Sequence, residues 1–348
     1  MAPSPSCAGP APGPAPIRLS ELTTLRLGGP VATLVTATST AELIDAARAA
    51  DRVGDPLLLI GGGSNLVAAD EGWPGVVLAV RSRGLAWSGD EVTAAAGEPW
   101  DEFVAATLAD GWAGLEALSG IPGLVGATPV QNVGAYGGEV ADAITALTVF
   151  DRADATTRRW APAECRFGLR TSAFKHTDRY LVTDVTFRLR RSPASAPVRY
   201  AELAKRLGVG LGASAPAAEV RAAVLELRRG KGMLVDPADH DTWSVGSFFV
   251  NPVVPAELAP ADCPQWPADD GVKLAAAWLI ERAGFARGYL APSGRVAVSS
   301  KHTLALTNRG GGTTAELLEL ARAIQRGVER QFGVELRPEP RLAPNLEF

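Results

Sequence analysis

Two glycine-rich stretches of this 348-residue chain could hold a ligand through its backbone. GGGSN (61–65) closes the apolar run PLLLI (56–60). Glycines at the end of a buried strand let successive N–H groups converge on one oxyanion, and Ser64 and Asn65 add side-chain donors. Gly61, Gly62 and Gly63 complete that candidate cradle, although an ordinary tight turn would use the same residues. The second stretch, LSGIPGLVGATPVQNVGAYGGEV (118–140), is too apolar for a solvated linker and too irregular for one helix. A buried loop of this kind is credible when a ligand satisfies its backbone groups. Its candidate contacts are Ile121, Pro122, Gly126, Thr128, Asn132 and Gly134. Two nearly neutral glycine loops from separate segments suit a large, flat, partly apolar cofactor bearing a pyrophosphate.

Other nucleotide motifs fail on context. GLGASA (210–215) has the GxGxxA spacing but follows the helical-looking YAELAKRLGV rather than a strand. GKG (230–232) lacks the upstream glycine and the following Ser/Thr of a phosphate loop. Taken singly, the polar residues farther along are unremarkable. Arg170 after a strand reads as a surface ion-pair partner and Ser247 as a strand-start hydroxyl. Glu339 between two prolines reads as a solvated acid, and Tyr200 as ordinary packing.

Taken together they form a pattern. IPGLVGATPVQNVGAYGGE, ECRFGLRTSAFK (164–175), GSFFVNPVV (246–254) and PEPR (338–341) resemble, in order, the signature stretches of the UDP-N-acetylenolpyruvoylglucosamine reductase family. The resemblance covers essentially everything after the first 17 residues. It implies an α+β fold: a two-subdomain FAD-binding module of the vanillyl-alcohol-oxidase (PCMH-like) kind, plus a C-terminal α+β substrate domain. It implies non-covalent FAD, NADPH as reductant and a UDP-sugar enolpyruvyl ether as substrate. Arg170 then matches the family's catalytic arginine, Ser247 its proton-donating serine and Glu339 its catalytic glutamate. Val182 joins the cofactor contacts. Tyr200 matches a lid tyrosine over the substrate, and Lys231 and Asn251 match positions that hold the nucleotide-sugar. Val250, Arg282 and the long spacer after Lys231 depart from the family pattern.

The implied chemistry asks for these residue types. A vinyl ether conjugated to a carboxylate accepts hydride at its terminal carbon, leaving negative charge beside the carboxylate. A cation and a donor, Arg170 and Glu339, stabilise that charge. A hydroxyl within reach, Ser247, then delivers a proton. Two rivals are an oxygen-using oxidase of the same FAD-binding superfamily and a non-catalytic nucleotide-sugar binder. Oxidases of that kind often carry a flavin-linking histidine beside the glycine turn, and LLLIGGGSN has none. Joint retention of Arg170, Ser247 and Glu339 argues against a mere binder.

Composition narrows the class further. With 47% hydrophobic and 21% charged residues the chain reads as an ordinary globular enzyme. A net charge of -4 gives no electrostatic reason for nucleic-acid binding. No Lys/Arg run suggests a membrane surface, and no apolar run approaches the ~20 residues of a bilayer span. Three cysteines without a CxxC pair and three histidines disfavour a disulfide framework and a metal centre. A cytoplasmic monomer is expected. The opening MAPSPSCAGPAPGPAPIRL has no basic or apolar signal region, and residues 1–17 are expected to be a disordered tail.

The elements that must position the site follow from periodicity. VATLVTA (31–37) reads as a strand, and Ser39 with Glu42 has capping-box spacing before the helix AELIDAARAA. The run PLLLI then makes a β-α-β opening. Short strands fill 75–96, and PWDEFVAATLADG (99–111) is helical, with Pro at its start and Gly at its end. LTVFD (147–151) and YLVTDVTFRLR (180–190) are strands. RRSPASAP (190–197) reads as a boundary hinge that frees a lid carrying Tyr200. SVGSFFVNPVV (244–254) and HTLALTN (302–308) read as strands, and KLAAAWLIERAG (273–284) as a helix. Thr313 and Glu316 cap a last long helix. The expected division is a first FAD subdomain over 18–80, completed by 336–348, a second over 81–228 and a substrate domain over 229–335.

Overall fold

The computed structural model describes residues 16–343 and 346–348. The expected tail lies outside the described residues as far as residue 15. Ile17 is fastened, because its carbonyl accepts from the Val31 amide at 2.9 Å.

Strand β1 (Val31–Ala37), helix α1 (Thr40–Val53), β2 (Leu57–Ile60), β3 (Leu66–Val67) and β4 (Trp73–Val80) build the first layer. β1, β4 and β2 form a parallel sheet in that order. Both faces are covered, as parallel sheets require. Along β4, Val77 and Ala79 enter one apolar cluster with Leu58 and Ile60, while Leu78 and Val80 enter another with α1. The Ser39 hydroxyl accepts from the Glu42 amide, but the Glu42 carboxylate turns back to the amide and hydroxyl of Thr38. The expected box is therefore shifted by one residue on its return bond, because Thr38 offers two donors.

The second layer is an antiparallel sheet. Its elements begin with β5 (Leu85–Ser88), β6 (Glu91–Ala95), α2 (Trp100–Ala109) and β7 (Trp112–Ala113). Then come β8 (Gly134–Ala135), β9 (Gly138–Glu139), β10 (Ile144–Asp151), β11 (Thr156–Trp160), β12 (Tyr180–Arg188) and β13 (Arg190–Arg191). The five long strands run in the order β11-β10-β12-β6-β5. Trp100 and Phe103 of α2 pack on Phe187 of this sheet.

The segment 190–197 is no free hinge. β13 pairs with β7, and the amides of Ser192, Ser195 and Val198 donate to Gly111, Ala215 and Ala213. The Ala196 amide reaches the buried Glu116 carboxylate at 2.8 Å. Proline and serine suggested looseness, and long-range bonds override it. Helices α3 (Ala201–Leu207) and α4 (Ala217–Gly230) follow, packed through Leu203, Val220 and Val224. α4 runs through residue 228, so the boundary expected there falls inside a helix, whose cap is Lys231.

The last unit is built from short pieces: β14 (Val253–Val254), β15 (Gln265–Ala268), β16 (Gly271–Leu274), α5 (Ala276–Arg282), β17 (Val296–Val298), β18 (Leu306–Asn308) and α6 (Thr314–Phe332). Here three expectations fail in extent. Residues 244–254 are not one strand: Ser247 and Phe249 make isolated bridges to Ala305 and Pro338, and only Val253–Val254 is a strand. KLAA begins as β16 before the helix, and HTLALTN is a strand only from Leu306. A buried apolar run has no periodicity to separate strand from extended loop. The capping box at Thr313 and Glu316 forms completely. Finally β19 (Arg341–Leu342) leaves this unit and pairs in parallel with β3, in the first layer.

Candidate active site

The layers meet around a cavity of about 310 Å³, near the lower limit of small-molecule sites (~300–1,000 Å³). Ser64 and Asn65 line it from the glycine turn, Ile121, Pro122, Thr128 and Gly134 from the 118–140 loop, and Arg170, Ser247 and Glu339 from three further segments. Sequence-distant residues are thus brought together as the reading requires.

Each wall has a local cause. Gly62 and Gly63 are needed for close chain packing. A Cβ at Gly62 would lie 2.8 Å from the Gly123 Cα, and one at Gly63, where φ is +61°, 2.0 Å from the Leu22 carbonyl. Gly61 accepts from Arg81 at 3.0 Å through its carbonyl. The three glycines therefore bring the turn against its neighbours, and Ser64 and Asn65 present the lining. Ser64 donates to the Pro122 carbonyl at 3.1 Å, and Asn65 donates to Gln131 Oε1 at 2.9 Å, tying the two glycine loops together. The amides of Gly62, Gly63, Ser64 and Asn65 find no acceptor within the described residues. An edge of unpartnered N–H groups beside an apolar loop fits a cofactor with an anionic linker and a flat ring.

Gly126 lies outside the lining, since a Cβ there would meet Ala96 at 2.4 Å. Asn132 is buried with its amide committed: Nδ2 donates to Glu139 and the Gly168 carbonyl, and Oδ1 accepts from Ala141. Val182 sits in the core of the second sheet. These three shape the walls without lining the cavity.

Arg170 occupies a two-residue turn closed by reciprocal bonds between Gly168 and Thr171, with its φ at +55°. Its Nε lies 3.3 Å from Glu339 Oε1. Glu339 is placed by its own backbone, whose amide donates to the Phe248 carbonyl at 2.9 Å. Ser247, the next residue back, is held by its bridge to Ala305. Phe248 and Phe249 behind it are fully buried. Burial pushes the Glu339 carboxyl above the usual carboxylate range, while Arg170 and Lys175 pull it down. A cation, a carboxyl whose pKa burial raises and a hydroxyl thus share one wall.

Comparison with known proteins gives the family. Residues 31–160 match the family described as FAD binding domain, and residues 236–343 match the UDP-N-acetylenolpyruvoylglucosamine reductase, C-terminal domain. The reductase of that name from Salinispora arenicola is 54% identical, over 92% of this chain and 93% of its own. That from Thermobifida fusca is 53% identical, over 93% and 96%.

The chain belongs to the UDP-N-acetylenolpyruvoylglucosamine reductase family.

The solved reductase from Thermus caldophilus has a TM-score of 0.67 at 26% identity, covering 94% of this chain and 98% of that one. This reductase-family member is an FAD-dependent oxidoreductase with the expected FAD-binding module and C-terminal domain.

The three substrate candidates lie off the cavity wall. Lys231 Nζ donates to Glu202 Oε2 at 2.5 Å and sits 5.7 Å from the Tyr136 ring centroid. Tyr136 meets the half-exposed Tyr200 edge-on at 5.4 Å. Lys231 and Tyr200 are therefore neighbours in one cluster on the rim. Asn251 accepts from the Ala276 amide at 3.0 Å and so starts α5. Arg282 stacks over Trp278 in the C-terminal unit.

Sequence reasoning missed Gln131, Arg228, Lys175 and Arg341. Arg228 lines the cavity and bonds the carbonyls of Gly120 and Met233, and burial lowers its proton affinity. Lys175 and Arg341 stood inside quoted motifs, so their positions were legible where their contacts were not.

Proposed function

We infer that this protein reduces UDP-N-acetylglucosamine enolpyruvate to UDP-N-acetylmuramate with NADPH, a step toward peptidoglycan and the bacterial cell wall, and that it does so as a cytoplasmic monomer. The observation that carries the reading is the Arg170–Glu339 contact beside Ser247, on the wall of a cavity edged by the glycine turn. Among the described residues no group of metal-binding side chains and no membrane-spanning helix is present.

FAD, held non-covalently by the turn at 61–65 and the 118–140 loop, supplies the two-electron step when bound. The chain's own groups do the rest. Arg170 offers positive charge where the substrate carboxylate gathers electrons after hydride addition, and its fixed turn spares reorganisation. Glu339, whose hold on a proton burial strengthens, can share that proton in a hydrogen bond to the same region. The Ser247 hydroxyl delivers a proton to the carbon beside the carboxylate, and the buried Phe248 and Phe249 limit water there. Lys231 and Tyr200 hold the nucleotide-sugar at the rim, and the Nδ2 of Asn251, which has no acceptor among the described residues, adds a donor.

The test separates the two half-reactions. Purified protein should be yellow, release its flavin on acid precipitation and bleach with NADPH under argon. Ser247→Ala should keep that bleaching, while reoxidation by the enolpyruvyl substrate slows by ~10²–10⁴-fold. Reoxidation at the wild-type rate would remove Ser247 from the mechanism.

A further inference from the structure

Lys175 has no place in the reaction set out above. Its Nζ donates to the Arg170 carbonyl at 2.7 Å. That carbonyl belongs to a non-glycine residue at positive φ, a conformation L side chains adopt only where surroundings enforce it. The surroundings here are specific. Asn132 holds the Gly168 carbonyl on one side of the turn. On the other, Ser172 donates to Val130 and accepts from the Phe174 amide, with Phe174 buried. Both flanks are thus anchored to the 118–140 loop and the sheet core, and Lys175 anchors the central residue itself.

We propose that Lys175 is a positioning residue for the reductase reaction, locking the Arg170 turn in its left-handed state and setting a second positive charge behind the Arg170–Glu339 pair. The proposal rests on the roles given to Arg170 and Glu339. An ammonium suits the task because it is a compact point charge with three rotatable donors, whereas a guanidinium is a larger planar fork. Burial and the neighbouring Arg170 charge weaken the hold of Lys175 on its proton, and Glu339 offsets part of that.

The test uses the full-length, flavin-loaded protein. Lys175→Met should leave flavin content and NADPH bleaching unchanged and slow reoxidation by the enolpyruvyl substrate ~10–100-fold, the cost of a guanidinium displaced by about 1 Å. In an Arg170→Met background the same substitution should cost nothing further, because the residue acts through Arg170. Lys175→Arg should restore only part of the rate. Independently of turnover, the Thr171 amide should exchange its hydrogen faster in Lys175→Met, since it closes the turn. Unchanged reoxidation, a full additional loss in the Arg170→Met background, or unaltered Thr171 exchange would each overturn the proposal. Should Lys175→Met lose flavin, Lys175→Gln gives the same readouts with less disturbance. If wild-type protein does not turn over the enolpyruvyl substrate, the functional reading fails, and Thr171 exchange alone decides whether Lys175 pins the turn.

Discussion

The glycine turn at 61–65 and the arginine turn at 168–171 solve opposite problems. In the first, backbone amides are left without an acceptor among the described residues, and the residue at positive φ, Gly63, contributes no side chain. In the second, a side chain faces the cavity, so the residue at positive φ must be an arginine and carry the steric cost, roughly 1–2 kcal/mol. The first turn therefore carries no steric cost of this kind at its positive-φ residue. The second is tied by side chains of Asn132, Ser172 and Lys175. Where the backbone does the binding, glycine suffices; where a side chain does the chemistry, neighbours must enforce the conformation.

Exchanging the residue types would break the comparison most sharply at Arg170. Arg170→Gly should slow reoxidation by the enolpyruvyl substrate by ~10²–10³-fold, as loss of a preorganised donor does. It should nonetheless unfold later than Arg170→Ala by ~1 kcal/mol, because glycine accepts the left-handed backbone and alanine does not. Stopped-flow absorbance and urea denaturation measure the two effects; an Arg170→Ala protein as stable as Arg170→Gly would show that the turn carries no strain. The converse exchange, Gly63→Ala, forces a Cβ onto the Leu22 carbonyl and should cost ~1–3 kcal/mol, with a lower flavin-to-protein absorbance ratio. Full flavin occupancy with an unchanged melting point would mean that the turn can relax away from Leu22.

The smallest effect concerns Glu339. Its carboxyl is raised in the folded chain by burial, against the opposing charges of Arg170 and Lys175. Its favourable contribution to stability is then fully present below the ordinary carboxylate pKa and lost as pH rises through the native value. Glu339→Gln, which imitates the protonated form, should melt roughly 1–2 °C above wild type at neutral pH, and the two curves should meet near about pH 4. A variant that melts lower at neutral pH would show that Arg170 and Lys175 outweigh burial.

The contrast between the turns also explains what could be read from the sequence. GGGSN declared its conformation through composition, as did the strands of the first sheet and the Thr313–Glu316 cap. The arginine turn did not: FGLRT contains no residue at the positive-φ position that favours it, and only the family resemblance pointed to Arg170. The same holds for 190–197, where proline and serine suggested a hinge and bonds to Gly111, Ala213, Ala215 and Glu116 made a fixed strap. It holds again for 244–254, an apolar run whose partners, Ala305 and Pro338, are set by tertiary packing. Lys231 and Tyr200 were placed by resemblance, and their shared cluster with Tyr136 follows only from the helix start at Tyr200 and the end of α4.

The pairing of Arg341 with Leu66 has a consequence for biosynthesis. Domains generally fold as they leave the ribosome, N-terminal first, at ~5–20 residues per second. The glycine turn and its sheet can form early, yet β3 has no partner strand until β19 emerges, and Glu339 arrives with it. The nascent chain consequently lacks the β3–β19 pairing and Glu339 until synthesis is nearly finished. Messages broken before codon 339 yield a polypeptide with both glycine loops but no carboxyl opposite Arg170.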